Sequence, residues 1–263
     1  MPISDEQLER YARHVILDEV GEEGQERLLA ARVLVVGAGG LGAPLALYLA
    51  AAGVGNLTII DDDTVELSNL QRQVIHTTGR LGEPKAASAA KALAALNPEV
   101  RVQPLEARLD AENVVALVEG HDLVADGSDN FATRYLLNDA CFLARKTLVS
   151  AALMGFDGQL STFRPGREGE PCYRCLYPSA PPEGTVPRCE EAGIFGAVAG
   201  VMGSLQAAET IKEILGLGDS LSGRLLMWNA LDNAFREIRV RRNPDCALCG
   251  DDPVIAAPPG AAA

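Results

Sequence analysis

Apolar residues recur along this chain in two rhythms, and the order of the rhythms predicts its architecture. Residues 4–17, SDEQLERYARHVIL, space their apolar positions for one face of a helix, with Ser4 as N-cap and acids in the first turn. Residues 33–36 are a short β-branched run, 43–52 a helix closed by Gly53, and 57–60 a second strand. A polar crossover follows over 64–81. Pro84 then stands at the first position of a helix that Asn97-Pro98 stops. Residues 100–105 and 123–125 read as further strands joined by a helix over 111–118; a helix over 129–144 leads to a strand at 147–151. Short, continuously apolar strands alternating with helices predict a parallel sheet covered on both faces.

Past Gly155 the rhythm changes. Residues 158–163 and 224–240 read as antiparallel strands that extend the sheet. The apolar stretch 194–208, IFGAVAGVMGSLQAA, is too short to span a bilayer and contains Ser204 and Gln206. It predicts a helix packed closely on the sheet or on a second subunit. The fold class is therefore α/β: a Rossmann-like, mostly parallel sheet extended by antiparallel strands. One domain is expected over residues 1–250, divided into an N-terminal helix (4–17), a core (32–151) and a C-terminal part (152–250). Residues 251–263, rich in Pro, Ala and acid, carry no packing signal and read as a disordered tail.

Composition narrows the function. The 263 residues carry a formal net charge of −13, which argues against nucleic acid and against anionic membranes as partners. The polar, acidic N-terminus has no signal-peptide pattern, so a cytoplasmic location is expected.

Four of the cysteines form two Cys-x-x-Cys pairs, Cys172/Cys175 and Cys246/Cys249. Two such pairs suit a tetrahedral Zn²⁺ held by four thiolates, a closed and therefore structural site. The distant C-terminal pair must then fold back on the first. Of the other two, Cys141 lies in an apolar helical pattern and reads as a buried thiol, whereas Cys189 sits among polar and turn residues.

Gly37, Gly39 and Gly42 match G-x-G-x-x-G between a strand and a helix, and Asp61 stands about twenty residues further on at the end of the second strand. The glycines allow a tight turn and close approach to phosphate, and the acid suits ribose hydroxyls. Alone, this says NAD or FAD. Three features redirect the reading. Ser68-Asn-Leu-Gln-Arg-Gln73 follows the acid, Lys85 opens the next helix, and Gly127-Ser-Asp-Asn130 stands where the fourth strand ends. Arg72 and Lys85 suit a triphosphate, and Asp129 suits Mg²⁺ shared with phosphate oxygens. The set favours ATP.

These segments, together with Arg10-Tyr-Ala-Arg-His14, Ala52-Gly-Val-Gly-Asn56, Pro171-Cys-Tyr-Arg-Cys-Leu176 and Asn243-Pro-Asp-Cys-Ala-Leu-Cys249, resemble the ThiF/MoeB/HesA family, bacterial relatives of ubiquitin-activating enzymes. Within it, the molybdopterin-synthase type is the nearest match. The resemblance implies that the C-terminal glycine carboxylate of a ubiquitin-like sulfur carrier ending in Gly-Gly attacks the α-phosphorus of ATP. The carboxylate is already ionised at neutral pH, so the site needs cations and alignment rather than a strong base. By the same resemblance Gly37, Gly39, Gly40 and Gly42 approach the nucleotide and Asp61 binds the ribose. The run Ser68, Asn69, Leu70, Gln71 and Arg72, with Lys85, holds the phosphates. Asp129 holds Mg²⁺ beside Asn130. Arg13 matches an arginine that reaches the neighbouring subunit's phosphates, which implies a homodimer. Cys189 has two readings, a thiol that takes up the carrier as thioester or sulfur as persulfide, and a merely exposed one.

The same chemistry serves thiamine, cysteine and tRNA thiolation elsewhere in the family. From other classes come an NAD-dependent oxidoreductase, which lacks a placed hydride-chemistry residue here, and a non-catalytic scaffold, which would lose the Arg/Lys/Asp set. His14 and His121 read as structural, and His76 has no evident partner in sequence.

Overall fold

A computed structural model describes residues 3–182, 185 and 193–257. Eight strands form a single sheet in the order β3-β2-β1-β4-β5-β6-β7-β8. The strands β1 (Arg32–Val36), β2 (Asn56–Ile60), β3 (Arg101–Leu105), β4 (Leu123–Asp126) and β5 (Thr147–Met154) run parallel. Antiparallel pairing then adds β6 (Asp157–Phe163), β7 (Arg224–Asn229) and β8 (Ala234–Arg239). This is the mixed α/β sheet read from the chain. Pro104 sits on edge strand β3, where its missing N–H breaks no ladder.

Alternation along β1 separates the two layers. Val33 and Val35 face α3 (Gly21–Ala30), α4 (Gly42–Ala51), α5 (Lys85–Leu96) and α9 (Gly196–Leu215). Leu34 and Val36 face α6 (Val114–Glu119), α7 (Phe131–Leu143) and α8 (Tyr173–Leu176). Each face is apolar because each meets a helix layer. A third, small cluster joins the four paired cysteines to Leu248, Phe142 and Ile255.

Several expectations need correction. The helix expected over 4–17 is two, α1 (Asp5–Arg10) and α2 (Ala12–Val15), broken at Tyr11. Tyr11 is buried and its hydroxyl accepts from the Asn97 side chain at 2.8 Å, so tertiary contact overrides the local pattern. Ser4 does cap α1, in a capping box with Gln7. Helix α3 was missed because two glycines dilute its pattern. It is held from outside: the Gln25 amide donates to Ala52 O, and Arg27 donates to the last carbonyls of α9 at Leu215 and Ile214. Pro84 precedes α5 instead of opening it. Strand β5 runs to Met154, past 151, because β6 pairs with it from Leu148 to Met154. Helix α9 runs on to Leu215, past 208, ending on left-handed Gly216.

The start of the supposed tail also packs. Asp251 pairs with Arg242 at 2.7 Å, the N–H groups of Val254 and Ile255 donate to Ala247 O, and Ile255 covers the cysteine cluster. The apolar Ile255 and the backbone hydrogen bonds were hidden by the surrounding Pro and Ala. Residues 258–263 lie outside the described residues.

Candidate active site

The rim of the sheet where β1, β2 and β4 end gathers most of the residues singled out. Val36 is in register with Ile60 and with Asp126, so the next residues of three strands leave side by side. Sheet order reverses between β1 and β4, the place where open α/β sheets form a ligand crevice.

The glycine loop is shaped by two contacts. Gly37 has φ +89°, which a side chain rarely adopts. A Cβ on Gly42 would lie 1.8 Å from Gly37 O, so only glycine fits where α4 begins. The N–H groups of Gly39, Gly40 and Leu41 donate to no group among the described residues. They form an unfilled run of donors at the start of α4, suited to phosphate.

Asp61 accepts from Ala38 N–H at 2.7 Å and from Asp63 N–H at 2.9 Å. Burial raises its pKa; the two N–H bonds work against that rise. Lys85 is buried and its Nζ lies 2.7 Å from Asp63 of the same rim. Arg72 lies over Gly40: a Cβ there would be 3.6 Å from Arg72 Cγ. The Arg72 guanidinium donates to Ser68 O at 3.1 Å and has no carboxylate partner among the described residues. Ser68 and Gln71 are exposed and Leu70 is half-buried, whereas Asn69 is buried and its side-chain oxygen accepts from Glu66 N–H. The run 68–72 is thus an anchored loop with Asn69 as its pin.

Beyond β4, Asn130 is the N-cap of α7, its side chain accepting from Thr133 N–H at 2.9 Å. Asp129, just before it, is exposed and has no partner among the described residues. Asp61, Asp62 and Asp63 can bring three carboxylate oxygens within 4.8 Å of one another. Asp61 is committed to backbone amides and Asp63 to Lys85, which leaves Asp62 and Asp129 exposed and without a partner among the described residues, each a carboxylate that suits a Mg²⁺ shared with phosphate. Arg13 projects from α2 as an exposed cation beside exposed Ile16 and Leu17, well away in sequence from the rim. The chain by itself does not bring Arg13 to the other cations through any contact described. Cys189 lies outside the described residues.

Several participants were not legible. Asp126, fully buried, accepts from Ser128 N–H and from the Ser150 hydroxyl and so fixes the loop that carries Asp129. Gln206 of α9 donates to Asp126 O and Val149 O, tying α9 to the neighbouring strands β4 and β5. Gln73 is buried beside Gly39 with its side-chain oxygen unpartnered. Arg134 is buried, donates to Ser128 O at 2.9 Å, and meets no carboxylate among the described residues. It lines a cavity of about 90 Å³ together with Ser150, Gln159, Ser161, Tyr173 and Tyr177. His76, without a partner in sequence, hydrogen-bonds both Ala38 O and the Ser88 hydroxyl at 2.9 Å.

The paired cysteines do converge. Their four sulfurs lie within 4.8 Å of one another, with Cys172–Cys246 at 3.6 Å, Cys172–Cys175 at 4.0 Å and Cys175–Cys249 at 3.2 Å. A Zn²⁺ with Zn–S bonds of about 2.3 Å needs sulfurs roughly 3.8 Å apart. The donors fit. Hydrogen bonds from Cys172 and Cys249 hold the Cys175 thiol well below its ordinary range, while the bonds to Cys175 and Cys249 push Cys172 up. Cys141 is fully buried, its thiol pushed up by burial.

No described helix is long and apolar enough to cross a membrane.

Comparison with known proteins shows the family and the fold. A sulfur carrier protein adenylyltransferase of Thermus thermophilus is 55% identical over 251 residues, covering 94% of this chain and 93% of the relative. A SAMP-activating enzyme E1 of Haloferax volcanii is 55% identical, covering 93% and 90%. The adenylyltransferase and sulfurtransferase MOCS3 of Bos taurus is 52% identical over 96% of this chain but only 55% of its own length. Among solved structures, Escherichia coli MccB superposes with a TM-score of 0.82 at 23% identity, covering 95% of this chain and 74% of that one, a likeness of fold. The family model described as ThiF matches residues 11–248, and the chain belongs to that family.

Proposed function

We propose that this protein activates the C-terminal carboxylate of a ubiquitin-like sulfur carrier by adenylation at the β1/β4 rim. The enzyme is an adenylyltransferase of the E1-like type. One observation carries the assignment to this site. Uncommitted amides, an Arg72 without a carboxylate partner, a buried Lys85 and an exposed Asp129 lie on or against the segments that leave the adjacent ends of β1, β2 and β4, and this supports the reading. That is a set for two anions that repel each other, not for hydride transfer.

In this reading the ATP phosphates lie against the N–H groups of Gly39, Gly40 and Leu41, with Arg72 above and Lys85 released from Asp63 towards them. Asp61 takes the ribose, and the 68–72 loop completes the nucleotide side. Asp129 would hold Mg²⁺, which supplies charge neutralisation on the phosphates when bound. The carrier's extended tail would approach past Arg134, whose unpaired guanidinium suits a carboxylate and whose cavity is narrow enough for a tail of small residues. The carboxylate oxygen attacks the α-phosphorus, the bond to pyrophosphate breaks, and acyl adenylate is left.

Zn²⁺ on Cys172, Cys175, Cys246 and Cys249 would be structural, since four thiolates leave no place for substrate. Arg13 would reach a neighbouring subunit's phosphates, making the homodimer the working form. Cys189 would receive the activated carrier or sulfur, and mass spectrometry of the protein with carrier and ATP decides this by an adduct on Cys189 or its absence. The carrier we favour serves molybdopterin synthesis, and the name of the Bos taurus relative supports an adenylyltransferase coupled to sulfur transfer. Purified protein mixed with Gly-Gly-ending carriers and labelled ATP tests the whole reading. Exchange of pyrophosphate into ATP that depends on the carrier is expected. Binding of NAD in preference to ATP would sink it.

A further inference from the structure

We infer that His76 is a positioning residue for nucleotide phosphate: it aims the Gly39 amide by holding the carbonyl of Ala38. The inference rests on the adenylation reading for the identity of the ligand, but the clamp itself is a property of the folded chain.

His76 lies in the crossover after β2 and is buried. Its Nε2 is 2.9 Å from Ala38 O and its Nδ1 2.9 Å from the Ser88 hydroxyl of α5. A carbonyl oxygen only accepts, so Nε2 carries the proton and Nδ1 accepts from Ser88. Ser88 is itself fixed, being fully buried with its carbonyl accepting from the Arg80 guanidinium at 2.8 Å. Ala38 is therefore gripped at both ends. Its N–H donates to Asp61 and its carbonyl accepts from His76.

The peptide geometry turns this grip into an effect on the glycine loop. A trans peptide is planar, with C=O and N–H on opposite sides. No cis peptide interrupts the described chain. Holding Ala38 C=O towards His76 therefore points Gly39 N–H away from it, out of the core. That N–H donates to nothing among the described residues. Glycine has wide conformational freedom, so an unheld 38–39 peptide at this loop could rotate and turn an oxygen where a donor is needed. An imidazole is a good clamp here because it bridges two fixed groups without bringing charge. Burial lowers its pKa, the bond to Ala38 O opposes that, and the nearby cations Lys85 and Arg80 lower it, so the net shift favours the neutral ring.

The test compares two amides. In His76→Gln the side-chain nitrogen lies where Nε2 was, whereas in His76→Asn the shorter amide does not reach Ala38 O. Isothermal titration should show a Kd for ATP raised about tenfold in His76→Asn. His76→Gln should stay within about twofold of wild type, and adenosine, which lacks phosphate, should bind all three alike. Equal ATP affinity in the two variants, or an equal loss for adenosine, overturns the inference. Where His76→Asn folds poorly, Ser88→Ala reads the same device. Without the hydroxyl the ring loses the partner that fixes its plane, and ATP affinity should fall while adenosine affinity holds; unchanged ATP affinity overturns the inference. The Gly39 amide signal in nucleotide-free protein, read by NMR, separates the two layers of argument. It should move in His76→Asn and not in His76→Gln, and a stationary signal overturns the clamp. Wild-type protein that binds no ATP overturns the phosphate role and the adenylation reading with it, while the Gly39 signal still decides the clamp.

Discussion

The cysteine hook and the strand-end rim are both polar clusters, and they are built on opposite principles. In the hook four sulfurs from two distant segments face inward, Cys172, Cys246 and Cys249 buried, with Leu248 and Ile255 packed around them. Every donor there is spent on one centre. At the rim the donors are held from behind and left open in front: Asn69 by Glu66, Asp61 by two amides, Ser128 by Asp126. The hook would gain stability by closing its coordination around a metal. The rim gives stability up, since Arg72 and Asp129 have no oppositely charged partner among the described residues. Chemistry belongs where the donor set is incomplete.

The largest expected effect separates the two regions outright. Asp129→Ala should reduce carrier-dependent pyrophosphate exchange by about a hundredfold or more, with zinc content and melting temperature as in wild type. Near wild-type exchange removes Asp129 from the mechanism. Arg13→Ala should also lose activity, and mixing it with Asp129→Ala sharpens the contrast. If sites are completed across a homodimer, half of the dimers are mixed and each has one intact site, giving roughly a quarter of wild-type activity. No recovery on mixing would confine each site to one chain.

The hook should respond the other way. Cys172→Ser should lower bound zinc and, at a cost of a few kcal/mol, lower Tm by roughly 5–10 °C. Exchange at low temperature should survive. Normal Tm with no bound zinc would deny the hook its structural role.

The smallest effect is the pH response of the rim. The His76 pKa is depressed in the fold, so as pH falls through the unfolded value of about 6.5 the unfolded chain takes up the proton first. Its contribution to stability is complete above that pH and fades below it, until pH reaches the depressed folded value. Thermal stability should fall over that acidic window in wild type and stay flatter in His76→Gln. Matching profiles would make His76 irrelevant to that window.

Much of the site was legible because its chemistry is local. Gly37, Gly39 and Gly42 announce a turn, and the two Cys-x-x-Cys pairs announce a metal. What stayed hidden acts through distance. Gln206 reaches the carbonyls of β4 and β5 from α9, and nothing in its own neighbourhood marks it out from other glutamines. Helix α3 has a weak pattern and depends on contacts to Ala52 and α9. His76 looked solitary because its partners, Ala38 and Ser88, lie on other elements.

The order of strands and helices, the residue types of the rim and the pairing of cysteines were set by the sequence, since hydrophobic period, turn chemistry and ligand spacing are encoded over a few residues. Which groups are free and which are spent was decided only by the tertiary structure. Lys85 and Asp63, Asp61 and Ala38, and His76 and Ala38 meet because register places three strand ends and a crossover side by side, and that proximity is a sum over many long-range contacts that no short segment contains.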